Sequence, residues 1–278
     1  MTMNNQTAIA LLAISTLCIA AATFAAPVNR HDGKRSHNSV SAQETTEEQK
    51  SNEKAKRKIA PYLTDEGADG RLIWREYTVN PKGKGSPTLL VVFGGRDSVK
   101  DGRNEAKIPI AIEKAILYAN LLRQSNKLII LVPDMTLEKT RKGRGGRDAP
   151  VSDGILKLVR SRMEKHGVDR KRVFATGFSM GGGLVYNLLN EDPSLFSRAL
   201  VVGASGNPTA TKDIKAEILD YHGSDDDYIP VVRVKAFADA VSARHPGLMK
   251  VEILSEVGHA DSESAAYAKA EPWKWLFR

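Results

Sequence analysis

Cysteine is nearly absent from this 278-residue chain, in which Cys18 is the only thiol. No intramolecular disulfide can form, so any fold must be held together by its hydrophobic core. The Cys and His residues show no metal-ligand spacing, and we expect neither a metal nor another cofactor. No internal repeat is visible, and the length suits one large domain or two small ones.

Charge is absent from the first 29 residues, and residues 8–22 are almost wholly apolar. Small residues follow, which predicts a secretory signal peptide over residues 1–25, cleaved after Ala25. An uncleaved anchor is the alternative, although the apolar run is shorter than the ~20 residues that span a bilayer. We therefore expect a secreted or periplasmic protein without stable membrane insertion once the signal has been removed.

Large apolar side chains are scarce between residues 26 and 58, where eight basic and five acidic residues give a net +3. This composition predicts a disordered polar linker over 26–58, followed by a folded domain over 59–278. The whole chain carries +8. The folded part therefore carries +5. This modest excess would suit anionic cell-surface polymers, but simple solubility is the favoured explanation. No nucleic-acid-binding module is recognisable, and export argues against such a partner.

Apolar runs that predict strands alternate with helical periodicity across the folded domain. The sequence predicts strands at 72–79, 89–93, 128–133, 172–176, 200–204, 218–221 and 251–254, and helices at 105–123, 152–165, 183–189, 232–243 and near the C-terminus. This alternation predicts an α/β fold, a mostly parallel central sheet with helices on both faces. Functional loops should lie at the carboxyl ends of the strands.

The stretch Gly177-Phe178-Ser179-Met180-Gly181 lies between a predicted strand and a predicted helix. A serine on a tight turn flanked by glycines, between strand and helix, is the layout of a nucleophile elbow. A serine hydroxyl needs rigid placement beside a base to act as a nucleophile. The same residues would also fit an ordinary glycine-rich turn, so this motif alone does not establish an active site.

An acidic and a basic candidate follow the elbow at the ends of two further strands. Asp225, Asp226 and Asp227 follow the strand at 218–221, and His259 follows the strand at 251–254. The resulting order of Ser, Asp and His is the order used by the α/β-hydrolase fold. Only about a dozen residues separate the strands at 200–204 and 218–221, which leaves no room for a cap domain and predicts an open site.

These segments resemble the α/β-hydrolase superfamily and are similar to secreted esterases of the polyhydroxybutyrate-depolymerase, feruloyl-esterase and phospholipase/carboxylesterase groups. Three further stretches carry the resemblance over roughly residues 70–278, namely 168–173, the His222-Gly223 to Pro230 turn, and 273–277. The resemblance implies that Asp226 is the acid, because it lies four residues after His222 and four before Pro230. It also implies a structural role for His222.

The resemblance further implies a role for each site residue. Ser179 would attack an ester carbonyl, His259 would move the proton, and Asp226 would orient the imidazole through an acyl-enzyme mechanism. The backbone N–H of Met180 would supply one oxyanion donor. The loop after the strand at 89–93 would supply the other. Such families usually have His-Gly there, whereas this chain has Gly94-Gly95-Arg96, and we favour Arg96 over Gly95.

A Gly-rich loop after the strand at 128–133 is strongly basic. It carries Lys139, Arg141, Lys142, Arg144 and Arg147. Guanidinium groups suit a carboxylate, so Arg144 and Arg147 are candidates for holding an anionic group of the substrate. A solvated loop with no contact to substrate is the competing interpretation.

Three functions remain open at this point. The first is an exported serine hydrolase that cleaves small or polymer-attached carboxylic esters. The second is a serine peptidase of the prolyl-oligopeptidase type, which shares the fold and the order of the three residues. The third is a binding protein on a hydrolase scaffold, which would need none of Ser179, Asp226 or His259.

Overall fold

The computed structural model describes residues 37–69, 72–98, 106–122, 125–134 and 149–278. The chain divides into two compact units, 1–43 and 44–278, and the sheet lies in the second. The described elements are α1 (His37–Ile59), β1 (Leu63–Asp69), β2 (Leu72–Val79), β3 (Gly85–Phe93), α2 (Ile110–Leu121), β4 (Asn126–Asp134), α3 (Ala149–His166), β5 (Val173–Phe178), α4 (Met180–Glu191), β6 (Arg198–Val202), β7 (Glu217–Gly223), α5 (Val231–Arg244), β8 (Met249–Leu254), α6 (His259–Tyr267) and α7 (Glu271–Phe277).

The described strands form one sheet in the order β1-β2-β4-β3-β5-β6-β7-β8. All neighbouring pairs from β4 through β8 are parallel, whereas β1 pairs with β2 and β2 with β4 in the antiparallel sense. This is the α/β-hydrolase fold, and the fold class predicted from the sequence is confirmed. The carboxyl ends of the six parallel strands meet at one edge, where the candidate site lies.

Two hydrophobic cores lie on opposite faces of the sheet. In β3, Leu89, Val91 and Phe93 belong to one core, whereas Leu90 and Val92 belong to the other. Helices α3, α4 and α5 cover the first face, and α2, α6 and α7 cover the second. Because both faces of the central strands are buried, their sequences are continuous apolar runs instead of alternating ones.

The N-terminal part of the chain differs from the prediction. Residues 37–59 form α1, so the prediction of a disordered linker over 26–58 is wrong for residues 37–58. The stretch is rich in Glu, Lys and Gln, which are good helix formers. It is anchored at its end by Ile59, which is 3% exposed. The predicted signal peptide, residues 1–25, lies outside the described residues.

Other differences concern the first strand of the sheet and the C-terminal helix. Strand β1 was not predicted, because its sequence LTDEGAD lacks the apolar alternation of a half-buried strand. The single C-terminal helix that the sequence predicts is two helices, α6 and α7, and Pro272 stands in the first turn of α7. Proline suits that position because it has no N–H to leave unsatisfied.

The connection between β6 and β7 is short. Residues 203–216 join the two strands without a helix, so no cap domain is inserted there. Within the described ranges, the helices are too short or too polar to span a membrane.

Candidate active site

Ser179 occupies the sharp turn between β5 and α4, and its backbone has φ 52° and ψ −116°. A positive φ is strained for a residue with a side chain, and such strain is common at reactive residues. The flanking glycines make the turn possible. A Cβ on Gly181 would lie 2.4 Å from the carbonyl oxygen of Phe93, and one on Gly177 would lie 2.6 Å from the carbonyl carbon of Gly181. Only glycine permits this close approach of the backbones.

The side chains of Ser179, His259 and Asp226 form a continuous chain of hydrogen bonds. Ser179 Oγ lies 2.8 Å from His259 Nε2, and His259 Nδ1 lies 2.7 Å from Asp226 Oδ2. A carboxylate only accepts hydrogen bonds, so Nδ1 of His259 carries a proton and donates a hydrogen bond to Asp226. Nε2 is then an acceptor for the serine hydroxyl. The structure thus brings together the three residues selected from the sequence, after β5, β7 and β8.

Asp226 differs from its acidic neighbours in burial. Asp226 is 5% exposed, whereas Asp225 and Asp227 are exposed. Its second oxygen, Oδ1, accepts hydrogen bonds from the backbone N–H groups of Tyr228 at 3.0 Å and Ile229 at 2.7 Å. The carboxylate is therefore fixed on both oxygens, one by the turn that carries it and one by the imidazole.

His222 supports the turn that carries Asp226. It is fully buried, and its Nε2 donates to the carbonyl oxygen of Ile229 at 2.6 Å. The same nitrogen lies 3.4 Å from Asp226 Oδ2. These contacts agree with the structural role that the resemblance implies for His222.

Two aromatic rings contact the imidazole of His259. The rings of Phe178 and Tyr228 each lie with their centroids 5.2 Å from that of His259. Tyr228 is 77% exposed. Tyr228 was not predicted as a site residue, although it lies only two residues after Asp226. An exposed aromatic ring beside the imidazole offers a surface on which an apolar or cyclic group of a ligand can stack.

The candidate oxyanion donors lie at the same edge of the sheet. Met180 is the first residue of α4, so its N–H has no partner within the helix. Gly94 and Gly95 follow β3, and a single 3-10 turn comprises Arg96–Ser98. A Cβ on Gly95 would lie 2.9 Å from the ring of Phe178, the residue before the nucleophile. The loop therefore packs against the elbow, and the choice of Arg96 over Gly95 as donor stays a prediction.

The predicted anion-binding residues Arg144 and Arg147 lie outside the described residues, as does the rest of the basic loop. Their role stays a prediction. Among the described residues, no group of three or more His, Cys, Asp or Glu side chains could hold a metal ion.

A buried carboxyl group next to the site was not predicted. Glu263 lies on α6, is 6% exposed and interacts with the backbone N–H of Ile110. Burial raises the pKa of Glu263 to about 7, the charge of Asp97 adds to the rise, and Lys107 opposes it. The sequence HADSESAAY of α6 gives no sign that this glutamate faces inward.

Comparisons with known proteins agree with this architecture. The model of the dienelactone hydrolase family matches residues 136–276, about half of the chain. A comparison with curated proteins found no match. Among solved structures, the chain is similar to a thermostable esterase, with a TM-score of 0.65 and 19% identity over 79% of this chain. It spans 63% of that esterase's length.

Two further solved structures share the fold. Est1E from Butyrivibrio proteoclasticus has a TM-score of 0.55 and 12% identity, over 77% of this chain and 97% of Est1E, and another structure of Est1E contains ferulic acid. Dipeptidyl peptidase 4 from Porphyromonas gingivalis has a TM-score of 0.53 and 14% identity. That match covers 74% of this chain but 33% of the peptidase. At these identities the likeness concerns the fold alone.

Proposed function

The chain belongs to the dienelactone hydrolase family, and from that membership and the geometry of its site we propose that it is a serine hydrolase of carboxylic esters. The observation that carries the proposal is the hydrogen-bonded chain from Ser179 Oγ through His259 to Asp226. This is the arrangement that turns a serine hydroxyl into a nucleophile.

The proposed reaction has two halves. In the first, His259 Nε2 takes the hydroxyl proton as Ser179 Oγ attacks the ester carbonyl, and the same proton passes to the departing alcohol. The acyl-enzyme remains. In the second half, His259 takes a proton from water, the hydroxide attacks the acyl-enzyme, and the proton returns to Ser179 as the acid leaves. Asp226 stabilises the imidazolium in both halves.

The negative oxygen of each tetrahedral intermediate would be bound by backbone N–H groups. Met180 at the start of α4 and Arg96 or Gly95 after β3 are the proposed donors. The start of a helix also favours negative charge through its dipole. Removing one such donor typically costs about 3 kcal/mol of transition-state stabilisation, or a hundredfold or more in rate.

The shape of the site favours a bulky substrate. The short connection over residues 203–216 adds no cap, and the exposed ring of Tyr228 borders His259. We therefore include polymer-attached esters among the proposed substrates. Nothing in the described site favours a peptide over an ester, so peptide amides serve as a comparison in the test.

The experiment is a rate comparison between the wild type and Ser179→Ala. Substrates are p-nitrophenyl esters of increasing acyl length, a feruloyl ester and a peptide p-nitroanilide. We expect ester hydrolysis by the wild type that falls by at least about 10³-fold in Ser179→Ala. Equal rates for the two proteins on every substrate would contradict serine catalysis, and amide cleavage faster than ester cleavage would favour a peptidase.

Export forms a separate part of the proposal and rests on the composition of residues 1–25. Fractionation of the producing cells, followed by N-terminal sequencing, tests it. A mature protein that begins at Ala26 in the periplasm or medium is expected. A full-length protein in the membrane fraction would favour the uncleaved anchor.

A further inference from the structure

A short segment without regular secondary structure contacts three parts of the molecule beside the oxyanion loop. It runs from Ala106 to Pro109 and leads into α2. On one side it contacts α1, because Asn52 Nδ2 donates to the carbonyl oxygen of Ala106 at 3.2 Å and Ile108 N donates to Asn52 Oδ1 at 3.0 Å. One amide side chain therefore pairs with the backbone groups on either side of Lys107, much as a neighbouring strand would.

The opposite side of the segment contacts the oxyanion loop. Lys107 N donates to the carbonyl oxygen of Asp97 at 2.9 Å, and Lys107 Nζ lies 3.3 Å from Asp97 Oδ2. Asp97 is the central residue of the turn Arg96–Ser98, which contains the proposed oxyanion donor. The ion pair is partly exposed and adds little, so the backbone hydrogen bond provides most of the link.

The end of the segment contacts the helix that begins with His259. Ile110 is the first residue of α2, and its backbone N–H interacts with the carboxyl group of Glu263 on α6, which lowers the pKa of that group. Residues four apart lie on the same face of a helix. Glu263 therefore lies one turn beyond His259 on the same side of α6, and its contact with Ile110 ties the segment to that helix.

We propose that Asn52 and Glu263 are positioning residues that hold the segment Ala106–Ile110, and through Asp97 the oxyanion loop, at the proper distance from Ser179. The part of helix α1 within residues 44–59 would then help to position the catalytic site. The inference rests on the proposed function for its kinetic consequences, because only an oxyanion intermediate makes the position of this loop important.

The physical basis is the sensitivity of oxyanion stabilisation to geometry. The donors must lie about 3 Å from the developing charge, and a displacement of about 1 Å can cost up to a hundredfold in rate. In the described parts of the loop between β3 and α2, residues 94–98 and 106–109, no residue pairs with a strand of the sheet. Its backbone hydrogen bond to Lys107 is therefore effective only if Lys107 is itself held in place.

The experiment compares Asn52→Ala with two variants of the same helix. Asn52→Asp keeps the acceptor for Ile108 but loses the donor to Ala106, and the exposed residue Lys54 provides the matched control Lys54→Ala. We expect Asn52→Ala to lower kcat about tenfold with KM within about twofold. The Ki of a trifluoromethyl ketone, whose adduct with serine carries an oxyanion, should rise by a similar factor. The kcat and Ki of Asn52→Asp should lie between those of Asn52→Ala and the wild type, and those of Lys54→Ala should equal those of the wild type.

Hydrogen exchange provides a readout that needs no turnover. The amides of residues 94–98 should exchange faster in Asn52→Ala than in Lys54→Ala, even if the wild type hydrolyses no ester. Should Asn52→Ala fail to fold, Glu263→Ala and Glu263→Gln replace it. Glutamine keeps an acceptor for Ile110, so Gln should rescue most of the kcat that Ala loses. A folded Asn52→Ala variant with the kcat, Ki and hydrogen exchange of the wild type would overturn the inference and leave the proposed hydrolase function intact. Equal kcat values for Glu263→Ala and Glu263→Gln would also overturn the inference.

Discussion

The buried carboxyl group of Glu263 should make the stability of this protein fall as the pH rises. Burial raises its pKa from the ordinary value of 4.5 to about 7, with Asp97 adding to the rise and Lys107 opposing it. Below pH 4.5 the group is neutral in both folded and unfolded chains. Between 4.5 and 7 the unfolded chain loses the proton while the folded one keeps it, so the free energy of unfolding decreases through this window.

The size of the decrease follows from the pKa difference. Each pKa unit corresponds to about 1.4 kcal/mol, so the rise from 4.5 to about 7 is worth about 3 kcal/mol. Replacing Glu263 by glutamine removes the titration and keeps an acceptor for the N–H of Ile110. Glu263→Gln should therefore match the wild type near pH 4.5 and be more stable by about 3 kcal/mol at pH 8.

The assay is urea denaturation of both proteins at several pH values between 4.5 and 8. The difference in the free energy of unfolding between variant and wild type isolates Glu263, because all other titrating groups are common to both. That difference should grow with pH and level off above pH 8. Two curves that run parallel across the range would refute the reasoning, since they would show that Glu263 ionises in the folded protein as it does in the unfolded one.

Three further predictions concern the site itself. Gly181→Ala would place a methyl group 2.4 Å from the backbone oxygen of Phe93, so we expect a lowered melting temperature and a loss of activity, both measurable on purified protein. Asp226→Asn should reduce kcat about 10⁴-fold with little change in KM. The N–H groups of Tyr228 and Ile229 would hold the amide oxygen, so the amide NH2 would face His259 Nδ1 and favour the wrong tautomer of the imidazole. Tyr228→Ala should raise KM for aromatic or sugar-linked esters more than for p-nitrophenyl acetate. Equal effects on both substrates would exclude a stacking role for this ring.

The nucleophile turn could be predicted from the sequence because its causes are local. Glycine at positions 177 and 181 is required by backbone contacts within the turn and with the end of β3. The central strands were predictable for a similar reason, since burial on both faces demands continuous apolar runs. In both cases the residues that form the recognisable sequence pattern are the same residues that the structure restricts in size or polarity.

The choice among three consecutive carboxylates required more than local pattern. Asp225, Asp226 and Asp227 are identical in type, and composition cannot distinguish them. The structure distinguishes them by the turn, which directs two backbone N–H groups at Asp226 and leaves the other two exposed. The resemblance to known hydrolases selected Asp226 because the spacing of His222 and Pro230 encodes that turn.

Asn52 and Glu263 could not be identified in the same way, because their partners are distant backbone groups. Asn52 contacts residues more than fifty positions away, and the partner of Glu263 is an N–H at the start of α2. Backbone donors and acceptors are present at almost every residue, so the sequence does not show which of them a side chain will contact.

The composition of residues 26–58 predicted disorder because that criterion counts the apolar area available for burial. Helix α1 instead gains order from strong helix formers, one buried isoleucine and a paired amide, and a criterion based on apolar area cannot detect such contacts.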